Sequence, residues 1–132
     1  MQRFLLFSGT LLAAIGVILG AFGAHALKAK LTAEQLQIFQ TGIHYHFYHA
    51  IGILFAGLLL YKIDSPLVSY AGISFIIGIL FFSGSLYLLA TSSITGLDSY
   101  RSILGPITPL GGLSFIIGWI LLAVDILKTK TL

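Results

Sequence analysis

Four stretches of this chain, Phe4–Ala24, Phe47–Tyr61, Leu67–Ala90 and Ser102–Val124, contain no Lys, Arg, Asp or Glu. A helix crossing about 30 Å of hydrocarbon needs roughly 20 apolar residues, because each advances the chain by about 1.5 Å. Three of the runs meet that length unaided. With 58% hydrophobic and 8% charged residues, the chain also has too little polar surface to cover a water-soluble globule of 132 residues. The expected class is an all-α integral membrane protein, an antiparallel four-transmembrane-helix bundle. It forms a single domain over residues 1–132, with spans at about 4–26, 34–61, 67–90 and 106–127.

The polar residues between the runs supply the punctuation. Lys28 and Lys30 mark the exit of the first span, and Thr32 to Gln35 has capping-box spacing, with Glu34 favoured in a first turn, so a second helix starts there. A lead-in through Phe39 and Ile43 gives the short second run enough length to span. Lys62-Ile63-Asp64-Ser65-Pro66 reads as a tight turn, and Pro66 suits the start of a third helix. The third span is expected to end near Ala90, followed by a polar loop from Thr91 to Arg101. Thr108 then caps a fourth helix with Pro109 in its first position, a broken or re-entrant entry being the alternative. Lys128 and Lys130 close that helix, and Asp125 is placed to pair with Lys128 three residues on.

Basic residues favour the cytoplasmic side of a membrane. Arg3, Lys62, Lys128 and Lys130 fall on the side of the termini, against Lys28, Lys30 and Arg101 on the other. With the amino terminus this puts both termini in the cytoplasm and the protein in the cell (inner) membrane as a multi-pass chain. The first run, preceded by Arg3 and followed by Ala24-His25-Ala26, also has the outline of a secretory signal peptide, but it exceeds the usual apolar core of about 7–15 residues. The net charge of +3 comes from seven scattered basic residues, which decorate run ends and form no nucleic-acid patch. No cysteine is present, so disulfides, thiolate metal sites and thiol redox chemistry are excluded.

Lipid tails give helices no hydrophobic reason to associate, so spans meet through small residues. Gly16 and Gly20 form a GxxxG pair on the first span, with Gly23 continuing the face. On the second, Gly42, Tyr45, His46, His49, Gly52 and Ala56 share an arc of about 120°. The third carries Ala71, Ser74, Gly78 and Ser85 on one stripe, and the fourth Gly111, Ser114, Gly118 and Asp125. The plain reading of Gly16, Gly20, Gly52, Gly78 and Gly118 is helix packing. Glycines on more than one face also permit a homo-oligomer or a membrane-protein partner.

An antiparallel four-span chain returns to one side at the end of helices 1 and 3 and the start of helices 2 and 4. The distinctive strings sit at those places: Gly20-Ala-Phe-Gly-Ala-His25-Ala-Leu, Thr41-Gly-Ile-His-Tyr-His-Phe-Tyr-His49-Ala, Phe82-Ser-Gly-Ser-Leu-Tyr87 and Gly105-Pro-Ile-Thr-Pro-Leu-Gly-Gly112. Together they make a one-sided cluster of His25, Tyr45, His49, Ser83, Ser85, Tyr87, Thr108 and Gly111. These strings, in this order over nearly the whole chain, resemble a family of small bacterial membrane proteins, domain of unknown function 423, related to the eukaryotic transmembrane protein 256. The resemblance implies a four-helix integral membrane protein with no established activity. In it His25 and His49 match the family's histidines, whereas His44 and His46 stand where it shows other residues and inherit no role.

His25 can approach His49 only if the first helix breaks near Gly23, since a continuous helix points it about 180° away from Gly16. A metal or anion site built from His25, His46, His49 and Tyr45 is one chemical reading, because imidazole binds transition metals. Interfacial His and Tyr bonding loop carbonyls and headgroups is the simpler one. No cofactor is expected: haem between His25 and His49 would lie near the surface, and no attachment cysteines exist. A channel or transporter is an alternative function, yet no Asp, Glu, Lys or Arg stands near the middle of a span, the one span-associated acid being Asp125 close to the end of the fourth. Catalysis lacks a nucleophile elbow, phosphate loop or paired carboxylates. The function expected is structural or accessory, in the lipid bilayer, with a one-sided cluster that binds a lipid headgroup, small ligand or partner.

Overall fold

Each helix must satisfy the N–H groups that its first turn leaves open, and two of the four do so with side chains, the first of them by the expected capping box. Thr32 Oγ1 accepts from Gln35 N at 3.2 Å, while the Gln35 side chain accepts from Thr32 N at 3.0 Å, a complete capping box. Ser65 Oγ accepts from Leu67 N at 3.2 Å, and Pro66 occupies the first helical position. The computed structural model describes residues 1–129. They form four long helices: α1 (Gln2–Leu27), α2 (Ala33–Leu59), α3 (Pro66–Thr95) and α4 (Asp98–Lys128). No strand occurs among the described residues.

By length and composition α1, α3 and α4 can each cross a membrane. α2 is 27 residues long but does not reach the same hydropathy, because its first two thirds carry glutamines and His44, His46 and His49. The expectation of four spans is thus met by three helices on these criteria. α1 and α3 each contain one π-helical turn, at Gly23–Leu27 and Ile79–Ser83.

Three local expectations are corrected. α3 continues past Ala90 to Thr95, because Thr91 and Thr95 return their hydroxyls to the Tyr87 and Thr91 carbonyls at 2.8 and 2.9 Å, and Ser92 bonds Leu89 O and Asp98. Polar side chains satisfied within their own helix need no loop. Gly96, at φ +73°, ends α3 in the left-handed conformation that glycine tolerates best. α4 begins at Asp98, not at Thr108, and Pro106 and Pro109 lie inside it. Finally, Asp125 does not pair with Lys128. It is buried and accepts a hydrogen bond from the Ser65 hydroxyl, while its Oδ2 has no partner and Lys128 stays exposed. Asp125 lies on the inward stripe with Gly118, so an ion pair would require Lys128 to leave solvent. Lys130 lies outside the described residues.

The helices run alternately up and down. Along α1, Gly9, Gly16 and Gly23 meet Leu54, His46 and Phe39 of α2 in descending order. Gly42 and Gly52 meet Tyr87 and Phe75 of α3, and Gly78 and Gly111 of the last two helices meet Phe115 and Phe82 across their shared face. Leu5, Ile53, Val68, Phe75, Phe115 and Leu122 fill the centre, and a smaller cluster of Leu27, Leu31, Phe39 and Ala90 closes the end opposite the termini.

Ser65→Ala removes both the cap of α3 and the hydrogen bond to Asp125. The expected cost is about 1–3 kcal/mol, read as a lower melting temperature in mild detergent, with Ser65→Thr retaining most of the stability.

Candidate functional site

His46 and His49 stand three residues apart on α2, about 60° apart around its axis, and so face different neighbours. His46 Nε2 lies 2.8 Å from the carbonyl of Leu12 on α1, and its Nδ1 lies 3.0 Å from the Tyr87 hydroxyl on α3. A carbonyl only accepts, so Nε2 carries the hydrogen and Tyr87 donates to Nδ1. His49 is arranged the other way round. Its Nδ1 donates to Tyr45 O at 2.7 Å, one turn back, and its Nε2 accepts from the indole Nε1 of Trp119 on α4 at 3.2 Å. One helix thus carries two buried imidazoles in opposite tautomers, the first tying α2 to α1 and α3, the second tying it to α4.

The ring of His49 also lies flat on Phe115, with centroids 3.4 Å apart and planes within 9°. Tyr45 packs on Phe82 at 4.6 Å, and Phe82 on Phe115 at 5.6 Å. These rings wall a groove of about 660 Å³, whose remaining lining includes Pro109, Gly112 and Ile116. The π-helical turn of α3 delivers Phe82 to it: Gly111 of α4 packs directly against the backbone of Phe82, and only a residue without a side chain permits that approach. A second join lies one turn away, where the Ser85 and Thr108 hydroxyls meet at 2.7 Å. Thr108 therefore works as an interhelical contact and not as a cap.

The eight residues of the expected cluster divide into groups. Tyr45 and His49 line the groove, Gly111 supports its wall, and Ser85 and Thr108 bond each other. Tyr87 serves His46 on the far side of α2. Ser83 is fully buried in the π-turn with no hydrogen-bond partner for its hydroxyl. His25 stands apart. It is exposed in the π-turn of α1, with Nδ1 donating to Ala21 O at 2.9 Å. Gly23, two residues before it, packs on Phe39, and His49 lies about 15 Å further along α2 at about 1.5 Å per residue.

The metal reading of His25, His46 and His49 is not supported by this geometry. Both nitrogens of each buried ring are already engaged, and among the described residues no three His, Cys, Asp or Glu converge on one point. His46, which the resemblance leaves without a role, is one of the two most embedded polar side chains of α2. Sequence reasoning missed Phe82, Phe115 and Trp119 as parts of the site. The available signal was Trp119 itself, the single tryptophan, placed on α4 one turn beyond Phe115.

The model of a family described as a protein of unknown function, DUF423, matches residues 19–112. Among curated proteins, the UPF0382 membrane protein YwdK of Bacillus subtilis is 45% identical over 91% of this chain and 93% of its own length. The UPF0382 membrane protein SH2409 of Staphylococcus haemolyticus is 39% identical over 91% and 92%. The UPF0382 inner membrane protein YgdD of Escherichia coli is 34% identical over 98% and 93%. No solved structure matches the chain.

Proposed function

The chain belongs to the DUF423 family of membrane proteins, and from that premise we propose that all four of its helices cross the cell membrane and that the groove beside His49 holds the apolar chain of a membrane lipid. For α2, the support is that the two polar side chains buried midway along it are consumed inside the protein, whereas the exposed Gln37, Gln40 and His44 lie nearer its outer end. His46 and His49 spend every ring nitrogen on other helices or on their own backbone, which removes the main cost of placing them in hydrocarbon. Its outward face carries Phe47, Ile51, Phe55 and Leu58, all exposed. The support for a cytoplasmic side at the termini is the count of Arg3, Lys62, Lys128, Lys130 and the amino terminus against Lys28, Lys30 and Arg101.

The groove is the observation that carries the functional reading. It is lined mainly by apolar atoms, it opens sideways where Leu113 and Ile116 are exposed, and those residues belong to a helix long and apolar enough to span. In a bilayer the medium around such an opening is acyl chain. The bundle centre, by contrast, is filled by Phe75, Ile53 and Phe115, so one chain encloses no polar passage among the described residues, and a pore would have to be formed between copies. The protein in this reading is a lipid-holding accessory component of the membrane.

The test is native mass spectrometry of protein released from mild detergent, comparing wild type with Gly112→Leu, whose side chain fills the groove next to Phe82. Wild type is expected to retain about one lipid per chain at this groove, and the variant to lose it with unchanged oligomeric mass. A lipid-free wild type would count against the reading.

A further inference from the structure

One turn beyond the lining of the groove, α4 carries a backbone acceptor that its own helix leaves open. Proline has no N–H, so inside a helix it leaves the carbonyl four residues earlier without its usual partner and pushes against it. Pro109 does this to Gly105, and Pro106 does it to Ser102. Among the described residues no side-chain donor takes up the Gly105 carbonyl, whereas the neighbouring Leu104 carbonyl receives the Thr108 hydroxyl at 3.4 Å. Gly105, Pro109, Gly112 and Ile116 stand at i, i+4, i+7 and i+11, within an arc of about 60° on α4. Pro109, Gly112 and Ile116 all line the groove. A helical carbonyl points toward the C-terminal end of its helix, so the open acceptor of Gly105 faces along the groove from its outer end. Gly105 itself is exposed, with open space where a side chain would be.

Resting on the lipid reading above, we propose that the groove selects a lipid alcohol: a long-chain amphipath whose free hydroxyl donates to the Gly105 carbonyl while its chain lies along Ile116 toward Trp119. The lining excludes other headgroups. It contains no lysine or arginine to meet a phosphate, and the nearby Arg101 is 3.6 Å from Asp98 in an ion pair. An ammonium head would find no carboxylate in the lining. A hydroxyl, small and uncharged, needs one acceptor, and proline chemistry provides it. The Tyr45 hydroxyl, at the groove wall, can donate to the same oxygen.

Trp119 is the single tryptophan and lines the groove, so its fluorescence reports occupancy. The probes are dibrominated stearyl alcohol and its methyl ether, titrated into the full chain in mild detergent. The ether keeps the chain and the oxygen that accepts from Tyr45, but it cannot donate. Wild type is expected to show saturable quenching with roughly tenfold tighter binding of the alcohol, the scale of one hydrogen bond. Pro109→Ala restores the N–H that occupies the Gly105 carbonyl, and it is expected to bind both probes alike. Pro109→Ser restores the same N–H and serves if the alanine variant does not fold. Equal binding of the two probes by wild type overturns the alcohol assignment and leaves the lipid groove standing. A preference that survives in the proline variants overturns the role of Gly105. Quenching by neither probe overturns the groove reading itself.

Discussion

Gly111→Ala is expected to be the most disruptive single-methyl change in the chain. A Cβ at this position would overlap the backbone nitrogen of Phe82 and come within 2.8 Å of both the Phe81 carbonyl carbon and the Phe82 Cα. A flexible side chain could turn aside, but backbone cannot, so α3 and α4 would have to separate along the π-helical turn. Overpacking of well-filled interiors costs about 1–3 kcal/mol and occasionally more, and the backbone obstacle places this variant at the upper end or beyond. The measurement is thermal melting in mild detergent beside Gly105→Ala, whose Cβ meets nothing within 4 Å and which gains helix propensity. The expected order is a large loss for the first and none for the second. Equal melting of the two would show that the α3–α4 contact is looser than described.

Phe75→Ala comes next. The ring is fully buried on α3, held between Gly52 of α2 and Gly118 of α4, where an added Cβ would lie 3.2 and 2.5 Å from it, with the Trp119 ring 4.9 Å away. Truncating a buried Phe costs about 3–5 kcal/mol in water-soluble cores. In a membrane the transfer part of that cost is absent, because lipid is as apolar as the interior. What remains is lost dispersion contact around an empty volume, which puts the expectation near 3 kcal/mol. Equilibrium unfolding gives the loss, and Trp119 emission should shift with it, since that indole loses the ring on which it packs. Unchanged emission would mean that Trp119 is positioned by His49 alone.

The helical class and the start of α2 were legible because local chemistry determines them. Thr32 and Gln35 cap one another within four residues, and Pro66 needs only its own fixed φ. The failures arose where a distant partner decides. Asp125 has Lys128 three residues away in sequence, but Ser65 is the group the fold brings to it. Thr108 has the look of a cap beside Pro109, and only the proximity of Ser85 shows its use. Arc arithmetic on α2 grouped Gly42, Tyr45, His46, His49, Gly52 and Ala56 as inward-facing, and all but the exposed Tyr45 are buried. It could not say that His46 turns to α1 and α3 while His49 turns to α4, because that depends on where three other helices stand. The aromatic wall was invisible for a related reason: in a chain this rich in Phe, nothing in the periodicity separates a ring facing a groove from one facing lipid.

The π-helical turn at Ile79–Ser83 sets a phase for everything after it. A π-turn holds about one residue more than the α-turn it replaces, and one residue is worth about 100° of rotation. The two halves of α3 therefore belong to different angular registers: Ala71 and Phe75 are aligned for the helix before the turn, Ser85, Tyr87 and Ser92 for the helix after it. A chain shorter by one residue in this segment could keep a straight α3, but it would aim Tyr87 away from His46 and Ser85 away from Thr108. Length between Phe75 and Ser85 is consequently as much a part of the specification as the residues themselves, and an alignment that places a gap there would describe a differently wound bundle.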